Sequence, residues 1–188
     1  PLRRGSQTVL FDILVALTKL MAPVLSFTAE EIWRMLPESV RVDSKADSVH
    51  LAMFPEVDPR WADAKLAQRW ERLLDVRMKI QSALEWRRRD KVIGSSLEAK
   101  VVIGAIEDVY KELEGADLTG LCIVSEVILN RVGEIPKEGH LLCDTAGLWI
   151  DVEKATSAKC ERCWNYRAAV GSFPDHPTLC DRCVEAVR

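Results

Sequence analysis

The amino-acid sequence predicts an α+β protein of three modules: a partial helical bundle over residues 1–93, a small α+β module over 94–153 and a four-cysteine hairpin over 154–188. Three observations support this division. Apolar residues recur at helical intervals as far as Arg89, short strand-like runs separated by glycines follow, and four of the six cysteines lie close together near the end. With 188 residues, 48% of them hydrophobic, the chain can bury a core of its own.

Two helices open the predicted bundle. Over residues 8–21 the apolar side chains recur every three or four positions, which is the period of an amphipathic helix, and Pro23 ends it. Thr28 and Glu31 have the spacing of a capping box, in which each side chain accepts a hydrogen bond from a free backbone N–H. A second helix is therefore expected to begin near Thr28.

A connector and a long helix complete the bundle. Residues 37–48 are polar and show no period, and residues 49–54 alternate as a short extended segment does. Asp58, followed by proline, is a typical helix start, and the apolar stripe after it predicts one long helix that reaches Arg89. Arg77 interrupts the stripe, so it is expected either to pair with a carboxylate inside the bundle or to reach along the helix to solvent.

The residues after Gly94 predict the α+β module. Apolar runs bounded by glycine and proline indicate strands, and one amphipathic stretch between them indicates a helix. The predicted elements are a strand over 99–103, a helix over 106–113 and two strands over 121–129 and 141–152. Cys122 and Cys143 lie within these strand-like runs and are interpreted as buried small hydrophobic residues, not as redox groups.

Charge is distributed unevenly along the chain. The net charge of −3 and the pI near 5.7 argue against binding of nucleic acid over the whole surface. The segment from Arg60 to Lys91 nevertheless carries ten basic and five acidic residues, and its densest cationic group is Arg87, Arg88, Arg89 and Lys91. This group is interpreted either as a solvated helix face or as a contact to nucleic-acid phosphates.

Three features of the sequence bear on the cellular context of the protein: its hydropathy, its first residues and the spacing of its cysteines. No apolar stretch approaches the roughly 18 residues that a membrane span requires. The first residue is Pro1 and a predicted helix follows closely, so the chain is expected to be part of a longer protein. Clustered cysteines at metal-binding spacing indicate a reducing compartment, and the cytoplasm is the expected location.

The strongest motif is a pair of CxxC sequences separated by sixteen residues, a spacing typical of zinc sites. Each CxxC places two thiolates on one tight turn, and two such turns supply four sulfurs in a tetrahedron. Because four sulfurs leave no open position, we expect one structural Zn²⁺ held by Cys160, Cys163, Cys180 and Cys183, and no catalytic metal. A module this small would take most of its folding free energy from the metal.

Arginines and aromatic residues surround these cysteines in the sequence. Candidates for nucleic-acid binding are Arg162, Trp164, Arg167 and Arg182, because arginine and aromatic planes stack on unpaired bases. Trp164 has a second interpretation, as the core residue that covers the zinc turn in a module with few apolar side chains. His176 is interpreted as a loop residue, because four thiolates already complete the site.

Three runs of the sequence resemble a known family. Leu20–Trp33 resembles the helix pair in the anticodon-binding bundle of the class I synthetases for isoleucine, valine and leucine. Asp90–Ala99 and Cys160–Trp164 resemble the bacterial isoleucyl-tRNA synthetases, whose zinc-binding C-terminal peptide has the same two CxxC pairs. The resemblance extends from about residue 8 to the end of the chain.

The resemblance implies a role in protein biosynthesis. The family uses ATP to join isoleucine to its tRNA, and this chain would supply recognition of the tRNA(Ile) anticodon arm together with the zinc site. The family's two ATP-binding signatures have no match in this sequence, so no catalytic residue is assigned and ATP would bind elsewhere in the parent enzyme. The expected partners are tRNA(Ile) and the catalytic and editing domains of the same polypeptide.

Two other classes of protein share part of this pattern. A DNA-repair glycosylase also ends in a nucleic-acid-binding zinc hairpin with two CxxC pairs, although that class has no reason to carry the helix pair around Pro23 and Trp33. A zinc-stabilised protein-interaction module with no RNA role is the other alternative.

Overall fold

The computed structural model describes residues 2–43, 46–144 and 147–187, and the chain folds into two compact units, divided after Ala62. The prediction placed a boundary near residue 93 instead. The difference arises from the long helix, whose buried face packs against the sheet of the second unit. The architecture is mixed α+β, as predicted, and the described residues form seven α-helices and one four-stranded sheet.

The first unit is helical. Its elements are α1 (Leu2–Met21), α2 (Ser26–Met35), α3 (Glu38–Asp43) and two short 3₁₀ turns, Val49–Leu51 and Pro59–Trp61. Helix α3 lies where the polar sequence predicted a connector, and the 3₁₀ turn at Val49 lies where it predicted an extended segment. Both predictions are wrong because short helical turns need little apolar periodicity: the carbonyl of Pro37 accepts a hydrogen bond from the N–H of Val40 at 3.0 Å and starts α3.

The start of α2 differs from the capping-box prediction. The helix begins two residues earlier than expected, its N-cap residue is Leu25, and Thr28 lies inside the first turns. Glu30 makes the important contacts instead, because its Oε2 accepts hydrogen bonds from Ser48 Oγ at 2.8 Å and from the N–H of Val49 at 3.0 Å. A side chain within α2 therefore fixes the following 3₁₀ turn, and no local capping box is formed.

Trp33 is the centre of a small core in the first unit. The side chain is completely buried and packs with Ala22, Ala29, Leu36 and Val49. Its indole Nε1 donates a hydrogen bond of 3.2 Å to the carbonyl oxygen of Ala46. The polar atom of this buried aromatic residue is therefore satisfied inside the core.

Helix α4 (Ala64–Arg89) is the longest element of the second unit. Its N-cap residue is Asp63, whose Oδ1 accepts a hydrogen bond of 3.0 Å from the N–H of Leu66. The predicted start at Asp58 is wrong because Asp58 caps the separate 3₁₀ turn before it. The predicted end of the helix is confirmed.

The sheet has the strand order β2-β1-β4-β3, with β1 parallel to β2 and β4 antiparallel to both of its neighbours. A 3₁₀ turn, Ser96–Glu98, precedes the first strand. The strands are β1 (Ala99–Ala105), β2 (Glu126–Arg131), β3 (Leu142–Asp144) and β4 (Leu148–Lys154), and helices α5 (Glu107–Leu113) and α6 (Leu118–Cys122) connect β1 to β2. The run 141–152, predicted as one strand, thus contains most of an antiparallel strand pair.

Helix α6 replaces the first part of the strand predicted over 121–129. Asp117 caps the helix, since its Oδ1 accepts a hydrogen bond of 2.9 Å from the N–H of Gly120, and Ile123 ends it with a left-handed φ of 55°. Arg77 of α4 donates from Nε to the carbonyl oxygen of Leu121 at 3.0 Å. Arg77 therefore satisfies a helix-terminal carbonyl, which is neither of the two roles predicted for it.

The core of the second unit lies between one face of the sheet and helices α4, α5 and α6. Alternate residues of the two central strands are buried on this face: Ala99, Val101, Ile103 and Ala105 in β1, and Leu148, Ile150 and Val152 in β4. On the opposite face, a Cβ atom at Gly104 would lie 2.1 Å from the ring of Trp149. Glycine is therefore required where this indole covers the sheet, and His140 stacks on the indole with ring centroids 3.8 Å apart.

Candidate metal centre

The four cysteines of the two CxxC pairs converge in space. Their Sγ atoms all lie within 4.8 Å of one another, and those of Cys163 and Cys180 are 3.7 Å apart. A tetrahedral site with Zn–S bonds of about 2.3 Å has sulfur–sulfur edges of about 3.8 Å, so this spacing fits zinc. Cys160, Cys180 and Cys183 are completely buried and Cys163 is half-buried. The donor set therefore fits a closed structural metal site.

Two local backbone structures present these sulfurs. The first pair lies on a turn, in which the N–H of Trp164 donates to the carbonyl of Cys160 at 2.9 Å, and a Lys159–Tyr166 antiparallel bridge closes the base of the turn. The second pair lies at the start of α7 (Asp181–Val187). The N–H of Cys180 donates to the Sγ of Cys160 at 3.3 Å and connects the two halves. We call residues 158–187, which contain both halves, the zinc knuckle.

The thiols of the zinc knuckle have strongly different affinities for protons. Burial raises the pKa of Cys180 to about 12, and neighbouring thiols add to the rise. Burial also opposes ionisation of Cys163, but hydrogen bonds from Asn165 and from neighbouring thiols outweigh it and lower its pKa to about 6. Four adjacent thiolates repel one another, so a bound dication is the natural means of holding all four deprotonated.

Arg162 contacts the sulfur cluster directly. Its Nη1 lies 3.7 Å from the Sγ of Cys183, in position to donate a charge-assisted hydrogen bond to a thiolate. Four thiolates and one Zn²⁺ carry a combined charge of about −2, and a guanidinium at this distance offsets part of it. The sequence predicted Arg162 as a nucleic-acid contact, whereas the structure places its Nη1 beside the Sγ of Cys183.

Trp164 does not cover the zinc turn. The residue is 61% exposed, and its backbone has a left-handed φ of 64°. The interpretation of Trp164 as the core residue of the zinc knuckle is therefore wrong. The apolar residues that pack against the buried cysteines are Val170 and Leu179. An exposed indole remains free to contact another molecule.

The other candidates in the zinc knuckle differ in exposure. Arg182 is exposed on α7, whereas Arg167 is half-buried, and its Nε has no hydrogen-bond partner among the residues that the structure describes. His176 is half-buried in the loop between the two cysteine pairs and is not part of the sulfur cluster. Cys122 is buried, and burial raises its pKa to about 11, while Cys143 is half-buried.

The basic cluster (Arg87, Arg88, Arg89 and Lys91) divides into two pairs with different environments. Arg87 donates from Nε to the carbonyl oxygen of Val152 at 2.9 Å, and Arg88 donates from Nη2 to Ser96 Oγ at 2.5 Å and also pairs with Glu85. Arg89 and Lys91 are exposed. Two of the four predicted phosphate contacts therefore have intramolecular partners.

Sequence reasoning missed Ser125, which lies between α6 and β2 and is 5% exposed. Its Oγ accepts a hydrogen bond of 2.7 Å from the N–H of Tyr166 in the zinc knuckle and donates one of 2.5 Å to the carbonyl oxygen of Leu97. A single serine in an apolar run carries no signal for such a contact, because both of its partners are backbone groups distant in the sequence.

None of the helices in the described part of the chain has the length and apolar character needed to cross a membrane.

Two protein-family models match the chain. The model described as "Anticodon-binding domain of tRNA ligase" matches residues 2–103. The model described as "Zinc finger found in FPG and IleRS" matches residues 158–186, the segment that contains all four converging cysteines.

Curated relatives are similar over nearly the whole chain. The chain is 43% identical over 193 residues to the isoleucine–tRNA ligase of Geobacter sulfurreducens, with 100% of this chain and 20% of the relative covered. It is 44% identical over 194 residues to that of Desulfitobacterium hafniense, with 99% and 20% covered. It is 40% identical over 186 residues to that of Caldanaerobacter subterraneus, with 98% and 20% covered. The chain thus spans about a fifth of the length of these relatives.

Proposed function

The chain belongs to the anticodon-binding domain family of tRNA ligases, and from this premise we propose that it is the tRNA-binding C-terminal region of an isoleucine–tRNA ligase. The observation that carries the proposal is that the zinc-finger match at residues 158–186 coincides with four sulfur atoms that converge in space. Identity of 40–44% to isoleucine–tRNA ligases over nearly the whole chain supports the same assignment.

In this proposal the metal has a structural role. Cys160, Cys163, Cys180 and Cys183 would hold one Zn²⁺, which crosslinks the two halves of the zinc knuckle and supplies no reaction chemistry. The chain contributes binding of the tRNA(Ile) anticodon arm. Attachment of isoleucine, with its use of ATP, belongs to the remaining four-fifths of the parent enzyme, in the same polypeptide. The four cysteines must stay reduced to hold the metal, and this requirement supports a cytoplasmic location.

We assign the RNA contacts by comparing the exposure and the intramolecular hydrogen bonds of the candidate side chains. Arg89 and Lys91 are exposed and suited to phosphate oxygens, while Arg87 and Arg88 hold the end of α4 to its surroundings. The exposed indole of Trp164 is suited to stacking on an unpaired base of the anticodon loop. In the zinc knuckle, Arg182 and Arg167 are further candidates for RNA contacts. The main role of Arg162 is its hydrogen bond to the Sγ of Cys183 in the metal centre.

Binding of defined RNAs tests the proposal. The zinc-loaded chain is titrated with an in vitro transcript of tRNA(Ile) at several salt concentrations, and the same titration is made with a transcript whose anticodon loop is replaced by that of another tRNA. We expect tighter binding of the intact transcript at every salt concentration, because base contacts carry the preference and phosphate contacts carry the salt dependence.

Three results of this titration, extended to a duplex DNA, would contradict the proposal. Equal affinity for both transcripts would mean that the anticodon loop is not read. Preference for duplex DNA over both transcripts would favour the glycosylase-type alternative, although the family match over residues 2–103 argues against it. Absence of any nucleic-acid binding by the zinc-loaded chain would leave a protein-interaction module as the better explanation.

A further inference from the structure

The zinc knuckle has an apolar core separate from that of the sheet. Its buried cysteines pack with Val170 and Leu179, whereas the large core of the second unit contains residues from Leu73 to Val152. Among the described residues, the two clusters share no member. Because the two buried cores are distinct, hydrogen bonds between the knuckle and the sheet contribute to the orientation of the knuckle.

A hydrogen-bonded relay through Ser125 provides such a contact. The N–H of Tyr166 donates to Ser125 Oγ at 2.7 Å, and the hydroxyl donates in turn to the carbonyl oxygen of Leu97 at 2.5 Å. Ser125 is itself held in line with the sheet, because its own N–H donates to the carbonyl of Ala99 at 3.2 Å. Ser125 is only 5% exposed, so water has little access to replace either of the two hydrogen bonds of its hydroxyl.

Both ends of the relay lie next to proposed RNA contacts. Tyr166 closes the turn that carries Trp164, two residues before it. Leu97 lies in the 3₁₀ turn whose first residue, Ser96, accepts the hydrogen bond from Arg88 in the basic cluster. A short path of bonded and adjacent residues thus runs from the stacking indole to the phosphate-binding end of α4.

We propose that Ser125 is a positioning residue that fixes the zinc knuckle to the 3₁₀ turn beside α4, so that Trp164 and the exposed Arg89 and Lys91 of the basic cluster form one RNA-binding surface of defined geometry. The inference rests on the proposed function. Two rigidly connected contact sites bind one ligand more tightly than two sites that move independently, because the second contact is made without further ordering of the protein.

Loss of the Ser125 hydroxyl should uncouple the zinc knuckle from the end of α4 without unfolding either of them. In Ser125→Ala the N–H of Tyr166 and the carbonyl of Leu97 lose their partner, but the N–H of Ala155 still donates to the carbonyl of Glu98 at 2.7 Å at the entry to the knuckle. The four metal ligands are untouched. The knuckle therefore stays attached and loaded but gains freedom to pivot.

The experiment uses the zinc-loaded full chain, labelled with ¹⁵N, as parent and as Ser125→Ala. We expect one equivalent of zinc in both proteins. In the variant, amides of residues 158–187 should have a shorter local correlation time, and hydrogen exchange of the Tyr166 amide with solvent should be at least about tenfold faster. Affinity for the tRNA(Ile) transcript should fall by about fivefold or more.

Three further variants separate positioning from a general loss of stability. Ser125→Thr keeps the hydroxyl and should restore parental affinity and dynamics. Ser172→Ala changes an exposed serine of the knuckle and should behave as the parent. In the Ser125→Ala background, Trp164→Ala should cost less affinity than it costs in the parent, because an indole that is no longer positioned contributes less.

Parental dynamics of the knuckle in Ser125→Ala would overturn the proposal, as would loss of zinc, since Ser125 would then act on the metal centre itself. A freed knuckle with parental tRNA affinity would also overturn it. If Ser125→Ala fails to fold, Ser125→Cys, which keeps the shape but donates weakly, is measured in the same way. If the parent binds no tRNA, the proposed function fails, and the amide data still decide whether Ser125 fixes the knuckle.

Discussion

Arg87 donates a hydrogen bond from Nε to the carbonyl oxygen of Val152 at 2.9 Å, and it thereby ties the last turn of α4 to β4. Arg89, two residues later, is exposed. Two arginines that are nearly adjacent in a basic sequence thus have different physical roles, one in the stability of the second unit and the other on its surface. Both roles can be measured separately.

Arg87→Ala should lower the free energy of unfolding by about 1–3 kcal/mol, because the carbonyl of Val152 loses its partner in a partly buried position. Arg89→Ala should change that free energy by less than about 0.5 kcal/mol and instead reduce the dependence of tRNA affinity on salt, by about 0.7–0.9 in the logarithmic slope for one phosphate contact. Urea unfolding and salt titrations measure the two effects. The reverse pattern would show that the two assignments are exchanged.

Trp164→Ala should weaken binding of the tRNA(Ile) transcript by about 1–3 kcal/mol at every salt concentration, because stacking on a base displaces few counterions. Bound zinc and the salt slope should not change, since the indole is exposed and is not a ligand. Trp164→Phe, which keeps an aromatic plane, should retain most of the affinity. If Trp164→Ala binds the transcript as tightly as the parent and keeps its zinc, Trp164 does not stack on a base.

Arg162→Ala should accelerate release of zinc to a chelator by about tenfold, because a group that hydrogen-bonds a metal ligand contributes strongly to metal affinity. Arg182→Ala is the matched control, since Arg182 is also an exposed arginine inside a CxxC sequence but no hydrogen bond from it to sulfur is observed in the described chain. A colorimetric zinc indicator follows the release. Equal rates in the two variants would mean that the 3.7 Å contact to Cys183 has no effect on the metal.

Removal of zinc should unfold the zinc knuckle and leave the helices of the rest of the chain in place. The knuckle has a core of only a few residues, whereas the sheet and α4 bury their own apolar faces. A chelator should therefore abolish protection of the knuckle amides while most of the far-ultraviolet helical signal persists. The double variant Cys180→Ser/Cys183→Ser should bind less than one equivalent of zinc. Cooperative loss of all helix on chelation would show that the knuckle and the sheet fold as one.

Acid should weaken the first unit through Glu30. The hydroxyl of Ser48, the N–H of Val49 and Arg34 all favour the carboxylate and hold the pKa of Glu30 below its ordinary value of 4.5, although burial opposes them. A lowered pKa in the folded state contributes stability that is fully present above the unfolded value of 4.5 and is lost as the pH falls through the folded value.

Thermal unfolding between pH 7 and about pH 3 measures this contribution. Glu30→Gln should be less stable than the parent at neutral pH and should lose less stability on acidification. Glu31→Gln, at the exposed neighbouring position, is the control for the loss of one charge. Identical acid profiles for the parent and Glu30→Gln would show that the bonds to Ser48 and Val49 do not stabilise the ionised form.

Several features could be predicted from sequence because the chemistry that produces them is local. The two CxxC spacings predicted the four cysteines that converge, since each pair needs only one turn of chain to present two sulfurs. The amphipathic period predicted α1 and the end of α4 for the same reason. Only the first part of the strand predicted over 121–129 was wrong, because a short apolar run fits a strand and a buried helix equally well until a cap such as Asp117 is seen in place.

Other features were decided by the tertiary structure alone. A run of arginines predicts positive charge, but only packing determines that Arg87 reaches a strand carbonyl, that Arg88 reaches Ser96 and that Arg89 is exposed. The same holds for Ser125, whose hydroxyl joins backbone groups 28 and 41 residues away in sequence. Sequence by itself therefore determined which four cysteines converge and where the amphipathic helix α1 and the end of α4 lie, because those features depend on near neighbours. Tertiary structure decided which polar groups face one another, because hydrogen bonds form between atoms that are close in space, however distant along the chain.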